Sequence, residues 1–105
     1  MVTPVRNKED VLQRLVAVRD EIKARGVVRL GLFGSFVSGK ADDASDVDFL
    51  VQFDPRQKNF DNFIGLSFML EKVLHRTIEL VTTEAMSPYL GQHILSEVED
   101  VPLDP

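Results

Sequence analysis

Between Lys8 and Ala24 the apolar residues Val11, Leu15, Val18 and Ile22 recur at steps of four, three and four, which predicts one amphipathic helix. Asn7 is suited to cap it, Glu9 and Asp10 fall in the first turn where the helix dipole favours anions, and Gly26 stops it. Val27 to Phe33 is short, rich in β-branched residues and bounded by glycines, the signature of a strand. Ser35 to Ser45 is small and polar, with no apolar periodicity beyond one helical turn, and predicts a loop. From Asp46 the period changes to two. Val47, Phe49, Val51 and Phe53 point one way and Asp46, Asp48, Leu50 and Gln52 the other, predicting a second strand that Asp54 and Pro55 close.

Helical spacing returns with Phe60, Phe63, Leu66, Leu70 and Val73, up to about His75. Ile64, Phe68 and Met69 widen its apolar sector to that of a helix packed into a core, with part of it available to a protein interface. Thr77 to Val81 predicts a third strand, with Ile78 and Leu80 on one side and Glu79 on the other. Ser87 and Pro88 suit the cap and first turn of a last helix carrying Leu90, Ile94 and Val98, and Pro102 and Pro105 predict a frayed end. The order is helix, strand, loop, strand, helix, strand, helix. This alternation predicts an α/β domain of two layers, a short mixed sheet of about three strands against helices, spanning residues 1–105 as a single unit.

Composition narrows the chemistry. With 44% apolar and 28% charged residues the chain predicts a folded soluble domain. No apolar run reaches membrane-spanning length, and the first ten residues lack the charged-then-apolar order of a secretion signal, so no membrane association and a cytoplasmic location are expected. There is no cysteine, which removes disulfides, thiolate zinc sites and cysteine nucleophiles together. His75 and His93 stand alone. A metal would therefore rest on carboxylates, which select a hard cation such as Mg2+ or Mn2+.

A net charge of -5 argues against direct binding of a nucleic-acid backbone. The charge is unevenly spread. Residues 1–40 hold eight Lys or Arg against four acids, whereas residues 77–105 hold six acids and no base. Such asymmetry predicts either an acidic face for a basic partner or a plain solvated surface.

Residues two apart in a strand project from one face with α-carbons roughly 6.5–7 Å apart, so Asp46 and Asp48 are able to aim both carboxylates at one locus. Two anions held together call for a cation, and Mg2+ would leave positions open for phosphate oxygens. Glu79, on the polar side of the third strand, completes a cluster of three if the strands are neighbours. Gly34 lets a backbone approach a ligand closely, while exposed amides and the Ser35 hydroxyl are donors for phosphate oxygens. Lys40 adds a mobile positive charge within reach.

A strand, Gly34-Ser35, ten residues, then Asp46-Val47-Asp48 opening a second strand resembles the nucleotidyltransferase signature. The chain is similar to the minimal nucleotidyltransferases, the small prokaryotic type encoded beside a HEPN-domain protein. The likeness extends over nearly the whole chain, through Phe36 to Gly39, Ser45 to Val51 and Ile78 to Thr82. It implies the two-layer nucleotidyltransferase fold. It also implies metal and catalytic roles for Asp46, Asp48 and Glu79, and triphosphate binding by the Gly34-Ser35 turn. The implied reaction moves AMP from ATP, with Mg2+ or Mn2+, to a tyrosine hydroxyl of a HEPN ribonuclease toxin, in a hetero-oligomer with that partner. Two positions depart from the family pattern: the third carboxylate, commonly Asp, is Glu79, and Ser38 stands where a basic residue often precedes the glycine.

Three other readings compete. Gly34 to Lys40 also follows the spacing of a phosphate-binding P-loop. That reading fails at Ala41, where a Ser or Thr hydroxyl is needed, and again because a strand follows where a long helix is required. A transferase acting on aminoglycosides would need a second domain to hold the drug. An inactive domain of the same fold that neutralises its partner by binding alone is the non-enzyme alternative.

Overall fold

The computed structural model describes residues 3–86 and 88–104. Asn7 caps the first helix, α1 (Lys8–Ala17), by accepting a 2.9 Å hydrogen bond from the Asp10 N–H, and Val11 and Leu15 of the predicted stripe are buried. The stripe does not continue as one helix to Ala24. At Val18 (φ -117°, ψ 20°) the backbone leaves helical geometry and restarts as α2 (Arg19–Ala24), which brings Ile22 into the core. Strand β1 (Val27–Phe33) runs into Gly34, and a single helical turn, α3 (Ser35–Ser38), follows with Phe36 buried. Strand β2 (Val47–Phe53) buries Val47, Phe49, Val51 and Phe53, the face its alternation predicts.

Asn59 caps α4 (Phe60–Leu74), accepting from the Asn62 N–H at 2.8 Å, and His75 ends the helix in the left-handed region at φ 54°. Leu66, Leu70 and Leu74 are buried. Phe60 and Phe68 are not: they are 76% and 68% exposed, so the wide apolar sector is only partly core. Strand β3 (Ile78–Thr82), a 3-10 turn (Thr83–Ala85), helix α5 (Pro88–Glu97) and strand β4 (Glu99–Asp100) complete the order. The expected Ser87 cap and the Leu90 side chain lie outside the described residues. Val98 lies beyond the helix and packs over Gly31, a position where a β-carbon would collide with it.

The sheet runs β3-β2-β1-β4, with β2 and β3 parallel and β1 antiparallel to both its neighbours. It has four strands where the sequence predicts about three. The expected frayed end instead pairs Glu99 with Leu32 and Asp100 with Gly31, and the Val101 N–H reaches the Leu30 carbonyl at 2.8 Å. Val101 and Leu103 join the core. No helix among the described residues is long and apolar enough to cross a membrane.

The charge asymmetry also has a structural answer. Acids of the last third pair with bases earlier in the chain: Lys8 with Glu99 at 3.0 Å, Arg29 with Asp100 at 2.7 Å, Lys23 with Asp104 at 2.9 Å and Lys58 with Glu84 at 3.0 Å. Four of the six acids that the sequence offers as a partner-facing surface are thus neutralised within the fold.

Candidate active site

The parallel register of β2 and β3 sets Asp48 directly beside Glu79, as Val47 stands beside Ile78. The adjacency that the third carboxylate requires is therefore present. Across the other ladder Asp48 is paired with Phe33, so the strand end that carries Gly34 meets the same point. Asp48 is half-buried, while Asp46, one residue before the strand, and Glu79 are exposed.

This placement has an electrostatic consequence. Burial, then the charge and a hydrogen bond of Glu79, then the charge of Asp46 push the Asp48 carboxyl up from 3.8 to about 6. A carboxyl raised by burial and then by neighbouring anions is a site short of positive charge. The donor set is all oxygen and suits a hard divalent cation in chemistry. Among the described residues no three such side chains converge into a ready-made metal cage, because Asp46 reaches Asp48 through its charge and not by contact. Closing a three-carboxylate site would take rotation of the exposed Asp46 and Glu79 side chains.

Gly34 supplies the second half of the site. Its backbone (φ 78°, ψ -147°) lies in a region that is essentially restricted to glycine, and a β-carbon there would overlap the Asp48 carboxylate. The conformation turns the chain abruptly into α3. The Val37 and Ser38 N–H groups bond the Gly34 carbonyl at 3.1 and 3.0 Å, whereas the first amides of a helix have no partner within it. Ser35 is half-buried at the start of that turn. Lys40 is elsewhere. It is exposed beyond Gly39, at the end of α3 away from Gly34, and forms no ion pair with the three carboxylates among the described residues.

The segment leading to Asp46 is built by residues that its composition does not single out. Asp42 Oδ1 accepts from the Ala44 N–H at 2.9 Å and from the Ser45 hydroxyl at 3.2 Å, and the Ser45 hydroxyl oxygen accepts from the Asp42 N–H at 2.9 Å. The Asp-x-x-Ser spacing of such a turn is visible in the sequence. Arg76 is not: a base after a helix end reads as a dipole partner, yet its guanidinium bonds the carbonyls of Val5, Asp42 and Ser45 at 3.0, 2.7 and 3.1 Å.

Comparison with known proteins bears on the family and the fold. The nucleotidyltransferase domain family matches residues 15–101. The protein adenylyltransferase MntA of Thermococcus cleftensis is 35% identical over 91 residues, covering 86% of this chain and 91% of that one. A solved structure taken to be a minimal nucleotidyltransferase superposes with a TM-score of 0.70 at 29% identity, covering 84% of this chain and 93% of that chain. A tri-AMPylated HEPN toxin of Shewanella oneidensis in complex with its MNT antitoxin matches with a TM-score of 0.61 at 17% identity, covering 87% of this chain and 71% of that chain, a likeness of fold alone.

Proposed function

The chain belongs to the nucleotidyltransferase domain family, in its minimal form, and we propose that it moves AMP from ATP onto a hydroxyl of a partner protein, as antitoxin of a HEPN ribonuclease toxin. The observation that carries this reading is the meeting of Gly34, Asp48 and Glu79 at one point, a phosphate-binding turn against a pair of carboxylates. The similarity to a protein adenylyltransferase supports the nucleotide and the reaction type. The fold shared with an antitoxin bound to an AMPylated HEPN toxin supports the partner and a hetero-oligomer. A cytoplasmic location goes with ATP as the donor in this reading.

In this reading the amides and hydroxyl at Ser35 receive triphosphate oxygens, and Gly34 lets those oxygens come close because it carries no side chain. Lys40 offers the phosphate tail a mobile charge. Asp46, Asp48 and Glu79 would hold Mg2+ or Mn2+, which when bound offsets their repulsion and the charge of the pyrophosphate leaving group. The acceptor oxygen attacks the α-phosphorus, the bond to the bridging oxygen breaks, and pyrophosphate departs. Glu79, exposed at the edge of the cluster, takes the acceptor proton. So small a domain has little surface for an acceptor, so the partner must present its own hydroxyl.

The test is the mass of the partner after incubation with the protein, ATP and Mg2+. Wild type should add AMP, and the double variant Asp46→Asn with Asp48→Asn should bind the partner and leave its mass unchanged. A wild-type protein that neutralises the partner with no mass change under any triphosphate and metal would leave binding alone as the function.

A further inference from the structure

Arg76 holds together three segments that are far apart in sequence, and one of them leads into the carboxylates. Its Nε donates to the Val5 carbonyl at 3.0 Å, and its Nη1 donates to the Asp42 carbonyl at 2.7 Å and the Ser45 carbonyl at 3.1 Å. The guanidinium carbon lies 5.2 Å from the centre of the Phe36 ring. Phe36 directly follows Ser35 and is buried, so the ring belongs to the same helical turn that begins at Gly34. Asp46 and Arg76 line one cavity of about 440 Å³ together with Pro4, His75 and Thr77.

The anchoring is firm on the other side as well. Val5 is fully buried and its N–H bonds the Leu74 carbonyl at 3.1 Å, while the Val47 N–H bonds the Thr77 carbonyl at 2.9 Å. Arg76 stands between these two backbone bonds. A planar guanidinium has donors fixed in one plane and a face suited to an aromatic ring, so it can hold carbonyls at its edge and Phe36 at its face together. Lysine has a point charge and no such plane.

We propose that Arg76 is a positioning residue for nucleotidyl transfer. It fixes the Ser45 backbone against α3, and so sets the distance between the Asp46 carboxylate and the Gly34-Ser35 turn. The proposal rests on the transferase reading for the use of that distance. A triphosphate bridging turn and metal needs both ends at one spacing, so Arg76 should govern how strongly metal and nucleotide reinforce each other.

The measurement is ATP affinity by calorimetry with Mn2+ and again with EDTA, at a temperature well below unfolding, in wild type, Arg76→Gln and Arg76→Lys. In wild type Mn2+ should tighten ATP binding. Loss of a residue that orients a metal ligand costs affinity on the order of ten-fold, so in Arg76→Gln the tightening should shrink by about that factor. Affinity in EDTA should stay within about two-fold of wild type, because the turn itself is intact. Arg76→Lys should recover only part of the tightening, and it decides the matter if Arg76→Gln does not fold. A tightening equal to wild type in both variants overturns the proposal, as does a parallel loss in Mn2+ and in EDTA, which would mark a general structural role. If wild type shows no response to Mn2+ at all, it is the transferase reading that fails.

Discussion

The space that a side chain at position 34 would fill is taken by the Asp48 carboxylate. One residue directly follows β1 and the other is the second residue of β2, so the proposed phosphate turn and the carboxylate cluster are in contact, and a change in either disturbs both. Gly34→Ala should cost about 1–3 kcal/mol for a backbone held where only glycine is at ease. Urea unfolding measures that loss. Nucleotidyl transfer should fall much further than the fraction unfolded, since the added methyl also displaces Asp48.

The raised Asp48 carboxyl makes stability depend on pH. It titrates near 3.8 when unfolded and near 6 when folded, so the native protein holds the proton more tightly. Its stabilising contribution is full below the unfolded value and is lost as pH rises through the folded one. Metal-free protein should thus lose stability on this account between about pH 4 and pH 6.5, and Asp48→Asn should remove that component. Urea midpoints in EDTA across this range would read the difference, and parallel curves for the two proteins would contradict it.

Divalent metal should raise the melting temperature, because a ligand of the native state alone stabilises by mass action. The gain is about 2.7 kcal/mol at a hundred times the dissociation constant. Asp46→Asn should abolish most of the shift. A full response in that variant would mean that the metal sits elsewhere.

Ser35→Ala and Lys40→Ala separate two ways of holding a triphosphate. Ser35 lies at the turn and Lys40 at the far end of α3, so triphosphate affinity should fall at least as much in Ser35→Ala. A loss confined to Lys40→Ala would favour a P-loop.

Docking of the proposed partner should be less electrostatic than the charge asymmetry of the sequence predicts. Glu99 and Asp100 are engaged with Lys8 and Arg29, and exposed pairs of this kind add little to stability. Replacing both acids with amides should lower the melting temperature slightly. The rate of association with the proposed HEPN partner should be nearly unchanged, as stopped-flow mixing at two salt concentrations would show.

The sequence by itself determined what local physics controls. Alternation in β2 is a property of the strand, and it predicted the buried face of Val47, Phe49, Val51 and Phe53. Residue type and spacing likewise singled out Gly34, Ser35, Asp46, Asp48 and Glu79, since close approach needs glycine and a hard metal needs oxygen. What remained were relations between distant segments. Register set Asp48 beside Glu79, and a two-residue strand too short to show periodicity paired with β1 at Gly31 and Leu32. The break at Val18, the pairing of late acids with early bases and the three carbonyls gathered by Arg76 are of the same kind. Each depends on a partner supplied by a remote part of the chain, and only tertiary packing brings that partner into reach.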